Sequence, residues 1–130
     1  MDGSIEINNL TSRIIGAALK VHSKLGPGLL EHTYRRCLAH ELRKAKVKVE
    51  EEVPLDLVYD DLLVLAAYRL DLLIDDSIIV EVKAVEKLHK VHHSQVMTYL
   101  RLGQKPLGLL FNFHELHLTD GLKRFVNRLS

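Results

Sequence analysis

"SIIVEVKAVEKLH" spans residues 77–89. Ile78, Ile79, Val80, Val82, Ala84 and Val85 make it an apolar, β-branched run of the kind that a strand covered on both faces requires. Glu81 and Lys83 interrupt that run. Moving an unpaired charge into such surroundings costs on the order of several kcal/mol, so the two must be paired, solvated in a cleft, or bound to a metal.

Outward from this strand the pattern predicts a mixed α/β chain. Leu10, Ile14, Ala17, Ala18 and Val21 recur at helical spacing and give a first helix over about 5–24, stopped by "LGPG" at 25–28. A second helix over about 29–46 carries Leu30, Tyr34, Cys37, Leu38 and Leu42 on its buried stripe. "VKVEEEVPLDLVYDD" reads as a strand in which Pro54 suggests an edge or a bulge, with a turn at Asp60-Asp61. "LLVLAAYRLDLLI" follows as a second strand, "DDS" as another turn, and "IIVEVKAV" at 78–85 as the third strand of the meander. A helix over about 90–102 ends at Gly103 and Pro106, so "LGLLFNF" at 107–113 should return parallel to the third strand by a crossover. The tail "LTDGLKRFVNRLS" reads as a short strand or turn and then a helical end.

Composition sets the outer bounds. A chain of 130 residues suits a single domain over 1–130 with a real core. Lys+Arg 18 against Asp+Glu 17 leaves a formal +1, so an anionic partner must be met by a local patch. The single cysteine, Cys37, excludes an internal disulfide and a Cys-rich zinc site, and fits a reducing cytosol. With no export signal and no run of eighteen apolar residues, a soluble cytoplasmic protein without a membrane partner is expected.

Glu81 and Lys83, two residues apart on a strand, share a face with Cα atoms roughly 6.5 Å apart. If the preceding loop is Asp75-Asp76-Ser77, Ile74 pairs with Ile78 and Asp71 comes directly opposite Glu81, on that same face. A strict two-residue turn would put Asp71 opposite Val80 instead, unless a bulge corrected the register. Two close carboxylates repel, and a hard divalent ion removes the conflict. Mg²⁺ takes one or two carboxylates, a carbonyl and waters, and an exposed Val82 carbonyl is a candidate third protein oxygen. Such an ion polarises a phosphoryl oxygen and acidifies water while Lys83 orients that water, which is metal-assisted phosphodiester hydrolysis. The plain alternative is a solvated same-face ion pair on a half-exposed sheet.

"GLLEHTY" at 28–34 matches a Gly-x-x-Glu-x-x-Tyr signature, and "YRLDLLIDDSIIVEVKAVEKL" and "HHSQVMTYLRLGQKPLGLLFNF" resemble the next two blocks of the GxxExxY proteins, from about residue 10 to 127. That family is placed within the PD-(D/E)xK nuclease superfamily. The resemblance implies a restriction-endonuclease-like core, with a mixed sheet of four or slightly more strands flanked by helices. It implies Asp71 as first carboxylate, with Leu70 where the superfamily name has proline, and Glu81 and Lys83 as the (D/E)xK pair. Glu31 becomes the extra acid presented to the metal or its water, and Gln95 and Tyr99, spaced to share one helix face, support the site. Mg²⁺ or Mn²⁺ is the implied cofactor and nucleic acid, DNA foremost, the implied partner. Lys46 and Asp61 depart from relatives that often have a turn glycine there.

Each of these residues also has an ordinary explanation. Glu31 suits the first turn of a helix through the macrodipole alone, Tyr34 suits a packed aromatic with a bonded hydroxyl, and Gln95 suits plain surface. His89, His92 and His93 invite a zinc site but lack an obvious further ligand, and fit a phosphate-binding rim as well. The basic residues Lys87, Lys90, Arg101, Lys105, Lys123, Arg124 and Arg128 are scattered. Two functions therefore stand: a metal-dependent nuclease, with a homodimer required if both strands of a duplex are cut, and a nucleic-acid or protein-binding module that keeps the nuclease fold without using the acidic cleft.

Overall fold

Strand alternation decides where the helices lie. In the strand at Ile78–Lys83, Ile78, Val80 and Val82 turn to one side and Ile79 to the other, and all are fully buried. The sheet must therefore be covered on both faces. The computed structural model describes residues 3–128 and supplies that cover. Helices α1 (Gly3–Leu25) and α2 (Glu31–Lys44) are followed by the strands β1 (Val49–Tyr59), β2 (Leu62–Ile74) and β3 (Ile78–Lys83). Helix α3 (Lys90–Gly103), β4 (Leu107–Asn112), a short 3₁₀ turn (Leu118–Gly121) and β5 (Leu122–Val126) complete the order. The sheet runs β1-β2-β3-β4-β5, and only β3 and β4 are parallel, as a helical crossover requires.

One core lies between the sheet and α1/α2, built from Ile14, Tyr34, Leu38, Leu42, Ile74 and Phe111 among others. The smaller core on the opposite face joins α3, through Val96, Tyr99 and Leu100, to Leu70, Ile79 and Leu110. Gly108 permits that approach, because a Cβ added there would meet Val96 Cγ1 at 2.8 Å. On the other face Glu51 of β1 ties α2 to the sheet: Arg36 Nη1 and Arg43 Nη1 donate to its Oε2, the latter at 2.8 Å. These arginines hold the Glu51 carboxyl below the ordinary carboxylate range, against the upward push of partial burial.

The turns follow the residues available to them. Gly26 (φ 69°) and Gly28 (φ 108°) take the left-handed backbone of the "LGPG" stop. Lys46 adopts it without being glycine (φ 65°), and in the β1–β2 turn the positive angle falls on Asp60 (φ 56°) rather than Asp61. Between β2 and β3, Asp75 and Asp76 are both left-handed (φ 50° and 54°), Ser77 N–H donates to Ile74 O at 3.0 Å, and Ile74 pairs with Ile78. That is the register which the three-residue loop predicts.

Two expectations are corrected. The tail forms the expected turn and short strand, β5 antiparallel to β4, but the strand runs to Val126 where a helical end was expected; the last two residues lie outside the described range. Phe125 alternates inward onto the α3 core and pairs with Gly108, while Asn127 N–H and side chain bond to Pro106 O, Leu100 O and Lys105 O. β3 ends at Lys83, two residues earlier than the apolar run suggests. Among the described residues no helix is long and apolar enough to cross a membrane.

Gly108→Val should destabilise the protein by about 1–3 kcal/mol through overpacking against Val96, while Gly16→Ala, where an added Cβ meets nothing within 4 Å, should not. Urea titration of both variants checks this.

Candidate active site

The β2–β3 ladder stops at Leu72↔Val80. One step further the register would place Asp71 opposite Glu81, and there side chains replace the backbone partners. Asp71 N–H donates to Glu81 Oε2 at 2.8 Å, and Val82 N–H donates to Asp71 Oδ2 at 2.8 Å. Each carboxylate thus satisfies a backbone donor on the opposing strand. β2 itself is irregular at this point. Leu70 and Leu73 both pack on the α3 side although three apart, and the β1–β2 pairing skips Asp71 and Glu52, whose φ is 52°.

Burial makes the pair electrostatically costly. Glu81 is 2% exposed, Asp71 is half-buried, and among the described residues neither has an ion-pair partner within 4.0 Å. Desolvation first, and then the Asp71 charge, push the Glu81 carboxyl up to about 8. Desolvation also raises Asp71, against the lowering effect of the Val82 N–H bond and Lys83. The second oxygen of each has no hydrogen bond among the described residues, and neither is a sealed, unpartnered polar atom.

The other expected residues are arranged around this pair. Lys83, half-buried, lowers both carboxyls through its charge. Glu31 at the start of α2 is exposed, and its Oε2 accepts the Ala84 N–H at 3.3 Å, so it does more than favour the helix dipole. Tyr99 on α3 is 5% exposed; burial first and then the Glu81 and Asp71 charges push its hydroxyl up to about 12, with Gln95 as a hydrogen-bonding neighbour. Tyr34 is fully buried, stacked on Phe113 with centroids 4.6 Å apart. Its hydroxyl donates to Gly26 O and accepts from Leu29 N–H at 3.0 Å. Tyr34 therefore pins the turn that Gly28 makes possible, and the pinned turn launches α2 with Glu31 aimed at β3.

Val82 is fully buried, and its N–H is committed to Asp71 Oδ2, so the carbonyl expected to be exposed has no contact with solvent. The histidines diverge. His92 Nδ1 accepts the His89 N–H at 3.0 Å, and His93 turns edge-on to Phe125. Burial first and then Lys83 hold His92 below the ordinary imidazole range. Among the described residues no three His, Cys, Asp or Glu side chains converge as a metal-holding group. For a divalent ion the available donors are the two free oxygens of Asp71 and Glu81. That is a hard oxygen set of the size Mg²⁺ accepts while keeping most of its waters, so the residues fit. An open hollow of about 480 Å³ lined by Val85, Glu86, Lys87, His89 and His92 adjoins the end of β3.

Sequence reasoning missed Asn112. It ends β4 directly beside Lys83 and is fully buried. Its Oδ1 accepts the Val85 N–H at 3.0 Å and its Nδ2 donates to Val85 O at 2.9 Å, so one amide stands in for a strand partner after β3 ends. Gly121 lies against it, where a Cβ would meet Asn112 O at 2.8 Å. The signal was a polar residue closing the apolar run "LGLLFNF", the same anomaly that marks Glu81.

A family model of the PD-(D/E)XK nuclease superfamily matches residues 8–125. No curated protein and no solved structure matches the chain.

Two predictions follow from this geometry. A carboxyl whose pKa rises on folding holds a proton that the unfolded chain has lost, so in chelator-containing buffer stability should fall as pH rises from about 4.5 to about 8. Glu81→Gln, which keeps an acceptor for Asp71 N–H, should flatten that slope and be the more stable protein at pH 8 by a few kcal/mol in order of magnitude, read from denaturant midpoints across pH. Asn112→Leu should cost about 1–3 kcal/mol by leaving both Val85 backbone groups unpaired, and should speed hydrogen exchange at Val85.

Proposed function

The chain belongs to the PD-(D/E)XK nuclease superfamily, and from that membership we propose a divalent-metal-dependent nuclease whose working residues are Asp71, Glu81 and Lys83. The observation that carries this reading is the unpaired carboxylate couple at the end of the β2–β3 ladder, with Glu81 almost fully buried. Nucleases of this superfamily generally use divalent metals. The free oxygens of Asp71 and Glu81 would hold a divalent cation, which would offset their repulsion and supply the Lewis acidity that polarises a phosphoryl oxygen and acidifies water. Mg²⁺ or Mn²⁺ suits the oxygen-only donors.

The chain's own groups then have defined tasks. Val82 N–H and Asp71 N–H fix the two carboxylates, leaving the second oxygen of each without a hydrogen bond among the described residues. Lys83 orients the attacking water and stabilises negative charge as it builds on the phosphorane. Glu31, placed by the Tyr34-pinned turn, accepts a proton or a hydrogen bond from that water. Tyr99, protonated at all physiological pH, and Gln95 support Glu81 from α3. The basic flank of Lys87 and Lys90 after β3 suits a polyanionic strand, and DNA is the substrate put forward. The Gly28, Glu31 and Tyr34 spacing supports the GxxExxY branch of the superfamily.

The test is cleavage of labelled single- and double-stranded DNA and RNA with Mg²⁺ or Mn²⁺. Lys83→Ala and Asp71→Asn should each reduce cleavage by at least about a thousandfold while circular dichroism stays native. Undiminished cleavage by either variant overturns the mechanism. A folded wild-type protein that cuts none of the substrates points instead to a binding module that retains the fold.

A further inference from the structure

Half of the exposed large hydrophobic residues among the described residues, seven of fourteen, fall between positions 58 and 68. They occupy the outer part of the β1–β2 hairpin, beyond a register shift between Leu55 and Leu57. The shift is built in: Ala66 is left-handed (φ 50°) and its N–H is held by Asp56 Oδ1 at 2.8 Å. Past it the pairs Val58↔Leu63 and Tyr59↔Leu62 continue, so the two faces alternate. Val58, Leu63 and Leu65 occupy one face and Tyr59, Leu62 and Val64 the other, with Tyr59 72% and Leu65 70% exposed. The outer hairpin is thus an arm that is apolar on both sides.

Its charge excludes one class of partner. From the register shift to the arm's end, residues 56–68 contain three acids, Asp56, Asp60 and Asp61, and no Lys or Arg. A polyanion is repelled from such an arm. Each face offers three large apolar side chains in a row, Val58, Leu63 and Leu65 at 67%, 54% and 70% exposure on one of them, which is the kind of contiguous apolar patch that marks a protein interface.

We propose that this arm is a self-association surface and that its occupant is the arm of a second copy of the chain. In a twofold contact each copy offers the other the same patch, so one apolar arm provides the complement of the next. Antiparallel arms also bring the acidic tip, Asp60 and Asp61, toward the partner's arm root. Arg69 at that root is exposed and has no ion-pair partner among the described residues. The face continues onto the body, where Tyr68, Val91 and Tyr99 border one hollow of about 300 Å³.

Sedimentation velocity of the full chain over a range of concentrations tests this. The wild type should sediment as a dimer. Leu63→Glu combined with Leu65→Glu should sediment as a monomer with an unchanged far-ultraviolet spectrum, because both side chains are exposed in the single chain and the substitutions weaken association by at least about a hundredfold. Leu63→Cys alone should form a disulfide-linked dimer under mild oxidation. A wild type that is monomeric throughout, or a doubly charged variant that dimerises as the wild type does, overturns the proposal.

Discussion

The candidate site depends on two backbone N–H groups that the sheet does not satisfy by itself. Where β2 and β3 separate, the donors of Asp71 and Val82 would be left without partners, and the carboxylates of Glu81 and Asp71 take them. This reciprocal exchange fixes both acids, face to face, with one oxygen each left over. Geometry and chemical demand therefore have a single origin, the end of a β-ladder.

Holding a nearly buried carboxylate there is unfavourable, and the apolar neighbours outweigh it. Ile78, Ile79, Val80 and Val82 are fully buried and together contribute on the order of 10 kcal/mol. A carboxyl displaced to about 8 costs a fraction of that at neutral pH. Support also comes from the other face. The Tyr34–Phe113 stack joins α2 to the segment after β4, and the arginines on Glu51 join α2 to β1, so Glu31 is referenced to the sheet from two directions.

Much of this was legible in the residues. The β-branched run with Glu81 inside it identified β3, helical spacing identified α1, α2 and α3, and the Asp-Asp-Ser loop implied the register that sets Asp71 against Glu81. Other parts were not. β5 is five residues long with Lys123 and Arg124 in its middle, and it exists because β4 presents an open edge, a tertiary fact invisible to local pattern. The burial of Val82 follows from packing on the α1/α2 side, which spacing along the chain cannot reveal. Asn112 was visible as an anomaly, yet its role required knowing that parallel pairing places it next to Lys83.

That Asn112 contact divides the site into parts of unequal strength. Asp71 and Glu81 sit within the sheet, so releasing them means unravelling strands that the cores hold. The segment after Lys83 is attached differently: Val85 is held by one side-chain amide and Ala84 by the Glu31 carboxylate. The partly buried Ala84 and Leu88 also pack against the two cores, so a few hydrogen bonds and a small apolar contact hold the strip. Asp71 and Glu81 are thereby held more firmly than the strip of chain that carries Lys87 and His89, and the two parts of the site differ in how readily their backbone amides should exchange with solvent.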